Sequence, residues 1–209
     1  MRSGKKVWVA CCFGLEILLV GRYFSGMGSK YVFSREHPLH FATMTVVEWV
    51  DVFTRPVYFD LVYEAWGYCQ REKGLTIHAY VIMTNHIHWI ISASPTATSG
   101  IVRDFKRFTS RKITAAIAGS STESRHRWMT ELFQAAGQRG PNKSDHQFWI
   151  HDNHPVPLWS PAVIQQKIEY IHLNPVRQGI VAAPEHYVHS SASTYAGEGG
   201  VFPVVPLYV

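Results

Sequence analysis

The chain has 209 residues and a formal charge of +5, so its length suits one domain with a full hydrophobic core. A content of 46% hydrophobic and 17% charged residues excludes a chain that is disordered throughout. Its three cysteines, Cys11, Cys12 and Cys69, offer neither a disulfide framework nor a CxxC metal site, which favours a reducing cytoplasm. The positive charge favours a polyanionic partner, although many enzymes that bind no nucleic acid share it.

The first 26 residues differ from the rest of the chain. Two lysines precede an apolar stretch over residues 7–20 that resembles a signal peptide, but Glu16 interrupts it and it is too short to span a bilayer. Met27 begins a segment that runs directly into the first predicted strand. We therefore interpret residues 1–26 as an N-terminal extension that need not belong to the native protein, and we expect no membrane association. The remaining chain is divided into a domain and a C-terminal tail, residues 27–195 and 196–209.

The first half of the domain predicts a strand, a helix and a β-hairpin. Residues 40–49 are rich in β-branched and aromatic side chains, which indicates a strand. Pro56 opens a segment with apolar residues at helical spacing, and Gly74 is its expected C-cap. Residues 75–83 and 86–94 predict two further strands, which a polar two-residue step joins into a hairpin.

The second half predicts three helices and one more strand. Apolar residues at helical spacing predict an amphipathic helix over residues 101–117 and a shorter helix over residues 124–136. Residues 147–150 predict a last short strand. A hydroxyl N-cap followed by proline starts the final helix at Ser160, and we expect this helix to end near Asn174, because the following proline disfavours helical geometry there.

The order strand, helix, hairpin, helix, strand, helix predicts an α+β fold. It suggests a ferredoxin-like antiparallel sheet with helices packed on it, although the order alone fits several topologies.

The segment Asn85-His86-Ile87-His88-Trp89 carries the sharpest local pattern. Side chains alternate between the two faces of a strand, so His86 and His88 point the same way and Ile87 points into the core. Two imidazoles one strand step apart can hold a single divalent cation. The alternative is a pair of surface histidines on a solvated face of the sheet.

Tyr170 and Asn174 are four residues apart on the final predicted helix, so they lie on one helical face. If that face meets the histidines, Tyr170 can offer a phenolate to a phosphate and Asn174 can offer an oxygen to a metal. The alternative is a core tyrosine and an asparagine that caps the helix before proline.

The helix over residues 101–117 carries a predicted basic face. Such a stripe suits phosphate contacts, but a solvated helix face is the commoner explanation of any run of this kind. The predicted DNA-binding residues are Arg103, Lys106, Arg107, Arg111 and Lys112, with Arg125 and Arg127 as a continuation.

Five segments together resemble a known family. In chain order they are TMTVVEWVDVF, AYVIMTNHIHWII, RDFKRFTSRKI, QFWIHDNHP and EYIHLNPVRQGIV. In this order and spacing they resemble the REP-associated tyrosine transposases, relatives of the insertion-sequence transposases that carry an HUH motif. The resemblance runs from about residue 30 to about residue 195. It does not explain residues 1–26.

The resemblance implies a ferredoxin-like fold, one bound Mg²⁺ or Mn²⁺, and cleavage of single-stranded DNA near hairpins. It implies that His86 and His88 are metal ligands and that Tyr170 is the nucleophile. Asn174 stands where related enzymes keep a polar residue that completes the metal site, a position at which they differ. The implied function is metal-dependent cleavage and rejoining of single-stranded DNA through a covalent phosphotyrosine, as in DNA transposition, by a monomer or homodimer.

Two other functions fit parts of the pattern. A replication or plasmid-mobilisation nickase shares the HUH chemistry but is usually a longer protein with extra domains. A non-catalytic nucleic-acid-binding domain would stack bases on the aromatic side chains Trp89, Phe148 or Trp149 and would make the two histidines incidental.

Overall fold

A computed structural model describes residues 33–34, 36–139 and 143–209. The predicted extension over residues 1–26 lies outside the described residues, as do Cys11 and Cys12. The elements in chain order are β1 Leu39–Thr45, a 3-10 turn Val47–Trp49, α1 Pro56–Lys73, β2 Thr76–Ile82, β3 His86–Ser92, α2 Thr98–Ala118, α3 His126–Arg139, β4 Val156–Pro157, α4 Pro161–Arg177, a 3-10 turn Pro184–His186 and α5 Ala192–Tyr195.

The four strands form one antiparallel sheet in the order β2-β3-β1-β4. The element order β1-α1-β2-β3-α2 followed by β4 is that of the ferredoxin-like fold. The predicted α+β class and ferredoxin-like sheet are therefore confirmed. β4 has only two residues and pairs with β1 through Phe41 and His40. Pro157 suits this edge position because proline cannot donate to a sheet ladder.

The two faces of the sheet carry different layers. On the first face, Ile87 and Trp89 of β3 join a core with α1 and α2, where Trp66 stacks on Trp89 with ring centroids 5.7 Å apart. On the second face, Ile90 belongs to a smaller core with Ile168 of α4. Alternation along β3 therefore turns His86 and His88 toward the face that α4 covers.

Helix α1 and helix α4 begin as predicted. Pro56 is the first residue of α1, and Gly74 closes it at a φ of 68°, a left-handed conformation that glycine adopts without steric cost. The Ser160 side chain accepts a hydrogen bond from the Val163 backbone N–H at 3.4 Å, and Pro161 follows at the first helical position.

The prediction that this last helix ends near Asn174 is wrong. Helix α4 continues through Pro175 to Arg177, and the Asn174 carbonyl still accepts a hydrogen bond from the Gln178 N–H at 3.1 Å. Pro175 stands in the final turn, so its missing N–H removes only one helical hydrogen bond. The prolyl ring is buried.

Two strand predictions are also corrected. The first strand ends at Thr45, because Glu48 and Trp49 adopt φ values of 53° and 56° and turn the chain out of the sheet. The strand predicted over residues 147–150 makes only an isolated bridge between Trp149 and Val46. Its apolar run reflects burial in the first core, and the fourth strand of the sheet lies farther on, at Val156–Pro157.

Residues 196–209, which lack periodicity in the sequence, pack against β2. Phe202 is 7% exposed and joins the first core. Val205 donates its N–H to the Ile77 carbonyl at 2.9 Å, and its own carbonyl accepts from His78 Nδ1 at 2.8 Å. These contacts cover the outer edge of β2, whose free backbone groups could otherwise pair with another chain.

Candidate active site

His86 and His88 lie side by side on β3. Each is 6% exposed, and their ring centroids are 4.6 Å apart. The structure thus brings the two histidines together on one face of the strand, beneath α4. The alternative of two solvated surface histidines does not describe these buried rings.

Hydrogen bonds fix which nitrogen of His86 is free. Asn85 Nδ2 donates to Asp51 Oδ1 at 2.8 Å and to the Trp49 carbonyl at 3.3 Å, so the amide oxygen of Asn85 faces the imidazole. That oxygen lies 2.7 Å from His86 Nδ1 and accepts its proton. Nε2 of His86 is then the nitrogen with a free lone pair, and this is the arrangement of metal-binding histidines.

A similar contact orients His88. Its Nδ1 lies 2.8 Å from Thr43 Oγ1 of β1. When Nδ1–H donates to this hydroxyl, Nε2 holds the lone pair that can bind a cation or accept a hydrogen bond. Phe41 stacks on the same imidazole at a centroid distance of 5.5 Å and restricts its rotation.

Burial keeps both imidazoles neutral. Desolvation lowers the pKa of His86 to about 4, against a smaller opposing effect of Asp51. Desolvation lowers the pKa of His88 well below its ordinary value, and a positive charge on His86 or Lys167 lowers it further. Neutral imidazoles are the form that ligates a metal, because the lone pair is not occupied by a proton.

Helix α4 places Tyr170 against this pair. The Tyr170 hydroxyl lies 3.3 Å from His88 Nε2, although the two residues are 82 positions apart in sequence. The tyrosine ring meets Phe41 edge-on at 5.9 Å. Burial raises the pKa of Tyr170, and the charge of Arg177 and a hydrogen bond with Asn174 act against this rise.

Asn174 lies one turn after Tyr170 and is 8% exposed. Gln178 Nε2 donates to its side-chain oxygen at 3.4 Å, and the second lone pair of that amide oxygen can still bind a cation. No group of three or more His, Cys, Asp or Glu side chains that could hold a metal occurs among the described residues. A metal held by the two histidines would therefore need a third ligand of another type, and an amide oxygen is such a ligand.

Two cations beside Tyr170 were not singled out in the sequence. Lys167 Nζ and the Arg177 guanidinium lie 5.7 Å and 5.8 Å from the centre of the Tyr170 ring. Neither forms an ion pair with a carboxylate in the part of the chain that the structure describes. Their spacing of three residues before and seven after Tyr170 puts them on its helical face, and that spacing could have identified them.

The predicted basic face of α2 lies elsewhere. Helix α2 packs into the first core, on the sheet face opposite the histidines, and four of its five predicted cations are exposed. Lys106 differs from them, because its Nζ donates to the Ile150 and His151 carbonyls and to Asn153 Oδ1. Burial lowers the pKa of Lys106 to about 8. The exposed members are Arg103, Arg107, Arg111 and Lys112.

The aromatic residues on which the non-catalytic alternative depends are buried. Trp89, Phe148 and Trp149 are 0%, 1% and 4% exposed and belong to the first core. They offer no face on which a base could stack. His172, which neighbours Tyr170 in sequence, bonds instead to Ser191 Oγ at 2.9 Å inside the protein.

The chain was compared with protein families, curated proteins and solved structures. The profile of the family described as transposase IS200 like matches residues 39–141. Among curated proteins, none matches the chain. A solved structure of a REP-associated tyrosine transposase bound to a REP hairpin is similar with a TM-score of 0.57 and 16% identity, over 89% of this chain and 93% of that one. A candidate transposase from Deinococcus radiodurans R1 is similar with a TM-score of 0.39 and 18% identity, over 71% and 98% of the two chains.

The profile covers β1 to the end of α3, including both histidines, and the similarity to the REP-associated transposase extends the shared fold across most of the chain. No helix in the described ranges is long and apolar enough to cross a membrane. Over residues 39–141, just under half of its length, the chain is similar to the IS200-like transposases.

Proposed function

We propose that this chain is an IS200-like transposase that cleaves and rejoins single-stranded DNA through a covalent phosphotyrosine at Tyr170. The observation that carries the proposal is the 3.3 Å contact between the Tyr170 hydroxyl and His88 Nε2. It brings the hydroxyl that we propose as the nucleophile from α4 to one imidazole of the pair on β3. A hydroxyl nucleophile next to a potential metal site is the arrangement that phosphoryl transfer requires.

In the proposed reaction the Tyr170 oxygen attacks the scissile phosphorus in line with the 3′ oxygen of the preceding nucleotide. The bond from tyrosine oxygen to phosphorus forms, the bond from phosphorus to the 3′ oxygen breaks, and the departing oxygen takes up a proton as the phenol loses one. The phosphodiester energy is kept in the phosphotyrosine. A 3′ hydroxyl from a second DNA end can therefore reverse the step without ATP.

His86, His88 and Asn174 are the proposed ligands of one Mg²⁺ or Mn²⁺. The residues fit this role because both imidazoles are neutral and each is held at Nδ1 by Asn85 or Thr43. A divalent cation bound there would stabilise the negative charge that develops on the scissile phosphate.

Lys167 and Arg177 are proposed to hold the DNA phosphate at Tyr170. Both are cations without a carboxylate partner among the described residues, and both lie within 6 Å of the centre of the tyrosine ring. A positive charge next to a buried phenol also favours its ionised form. They would therefore lower the cost of deprotonating Tyr170 and position the group it attacks.

The proposed substrate is single-stranded DNA next to a hairpin. The similar solved structure is of a REP-associated tyrosine transposase bound to a REP hairpin, and we propose that this chain belongs to the same subclass. The exposed cations of α2 would contact phosphates of the duplex part, on the far side of the sheet from Tyr170. We also propose that the protein works in the cytoplasm as a monomer or homodimer, and that residues 27–195 carry the activity.

A labelled single strand taken from the DNA that flanks the gene tests the proposal. The wild-type chain with Mg²⁺ or Mn²⁺ should cut the strand and become covalently labelled. Tyr170→Phe removes only the hydroxyl and should abolish both products while the melting temperature changes little. Tyr187→Phe is the matched control and should retain both products, because the Tyr187 hydroxyl is already bonded to the Ile82 carbonyl at 2.8 Å. An unchanged adduct in Tyr170→Phe would refute the assignment.

A further inference from the structure

A surface depression with two exposed tryptophans lies next to the candidate active site, and the proposed reaction does not use it. It is an open depression of about 640 Å³ between the turn after β1 and helix α3. Its two large aromatic side chains, Trp49 and Trp128, are 61% and 53% exposed. We call it the tryptophan depression; its lining residues include Glu48, Asp51, Arg125 and Arg139.

The depression adjoins His86 through Trp49. The Trp49 ring meets the His86 ring edge-on at a centroid distance of 5.9 Å. The Trp49 carbonyl and Asp51 Oδ1 both accept hydrogen bonds from Asn85 Nδ2, and Asn85 orients His86. A nucleotide next to one bound at the histidines would therefore be within reach of Trp49.

The backbone holds Trp49 outward at a conformational cost. Glu48 and Trp49 are consecutive residues with φ values of 53° and 56°, in the left-handed region that non-glycine residues rarely adopt. Such residues persist only where the surroundings hold them, and they concentrate at ligand sites. Exposing a tryptophan in this way gains nothing for the core, which indicates a role in binding.

The charges around the depression favour a base over a phosphate. Arg139 donates to Glu48 at 3.0 Å, and the Arg125 guanidinium is occupied by Glu123 and by the Asp51 carbonyl. With the cations paired, the depression attracts phosphate weakly. What it offers is two aromatic faces, and every nucleobase has a face that can stack on them.

We propose that the tryptophan depression binds one unpaired base of the single strand, next to the nucleotide at the histidine pair. This inference rests on the proposed function, because it assumes that single-stranded DNA reaches Tyr170. It assigns Trp49 and Trp128 as binding residues that position the strand. Stacking tolerates any base, so the site holds a flipped-out nucleotide without reading its sequence by itself.

Abasic scanning of the substrate strand tests the inference. The full chain carrying Tyr170→Phe, which should not cut, is titrated with oligonucleotides in which one base at a time is missing. At one position near the cut site, loss of the base should weaken binding roughly 5- to 150-fold, the size of a base–aromatic stack. In Trp49→Ala and in Trp128→Ala that penalty should shrink, because each variant removes one of the two rings on which the base stacks.

Trp159→Ala is the matched control, since Trp159 is 59% exposed but lies outside the depression, just before α4. It should keep the full abasic penalty. Trp128→Phe retains a ring and should restore most of the penalty that Trp128→Ala loses, which also excludes a folding defect. An unchanged abasic profile in both alanine variants would overturn the inference, while a wild-type adduct at Tyr170 would leave the proposed function standing. Absence of any adduct would refute the proposed function separately.

Discussion

Acid should selectively weaken the network that supports the turn after β1. The Glu123 carboxylate is 1% exposed and accepts hydrogen bonds from Arg125 and Arg55 at 3.0 Å and 2.9 Å. Arg125 also donates to the Asp51 carbonyl, so this network supports the segment that holds Asn85 and hence His86. The Arg125 side chain, then its backbone N–H and then Arg55, lower the pKa of Glu123 from 4.5 to about 2, while burial opposes them.

The size of the expected loss of stability follows from the linkage between protonation and folding. A carboxyl whose pKa is lower in the folded chain stabilises it at every pH above the unfolded value, and this stability is lost as the pH falls through the folded value. At about 1.4 kcal/mol for each pH unit of difference, Glu123 contributes about 3 kcal/mol at neutral pH. This contribution should disappear between about pH 4.5 and pH 2.

Urea unfolding of the wild type and of Glu123→Gln from pH 7 to pH 2 measures this loss. The wild type should lose about 3 kcal/mol more than the variant over that range, because the variant has no carboxyl to protonate. Glu131→Gln is the control on the same part of the chain, since Glu131 is exposed on α3, and it should follow the wild-type curve. A stability difference between wild type and Glu123→Gln that stays constant with pH would refute the reasoning.

Three further predictions concern the site and the DNA. His88→Ala should abolish metal-dependent cleavage while binding of the uncut strand, measured by gel shift, stays within a few fold. Thr43→Val removes the hydroxyl that holds His88 Nδ1 and should raise the Mn²⁺ concentration needed for cleavage about 10- to 100-fold; an unchanged metal dependence would contradict the assigned orientation. Arg107→Ala and Arg111→Ala should each weaken binding of all DNA sequences alike. Each should lower the slope of log binding constant against log salt concentration by about 0.7–0.9, and an unchanged slope would show that α2 does not contact the DNA.

Local patterns predicted much of the site. The alternation of side chains along a strand is enough to put His86 and His88 on one face, and helical spacing is enough to align Tyr170 with Asn174. That the two faces meet depends on α4 packing over the second face of the sheet. No local pattern contains that information; the resemblance to a family implied it.

The features that sequence reasoning missed depend on distant contacts. The run at Phe148 and Trp149 looks like a strand because both side chains are buried, yet the sheet pairs with Val156 instead. Lys106 looks like a surface cation, and only the fold brings the Ile150 carbonyl to it. The left-handed turn at Trp49 contains no glycine, so the sequence gives no signal for it. The exposed ring beside His86 could therefore be found only in the structure.

The central claim is that Tyr170 becomes covalently attached to DNA, and peptide mapping of the protein–DNA adduct tests it most directly. The wild-type chain is reacted with a labelled single strand, digested, and analysed by mass spectrometry for the peptide that carries the nucleotide. We predict a single modified residue, Tyr170, because its hydroxyl contacts His88, whereas the Tyr187 and Tyr195 hydroxyls donate to the Ile82 and His78 carbonyls. A nucleotide found on Tyr187, on Tyr195 or on any residue other than Tyr170 would contradict the claim.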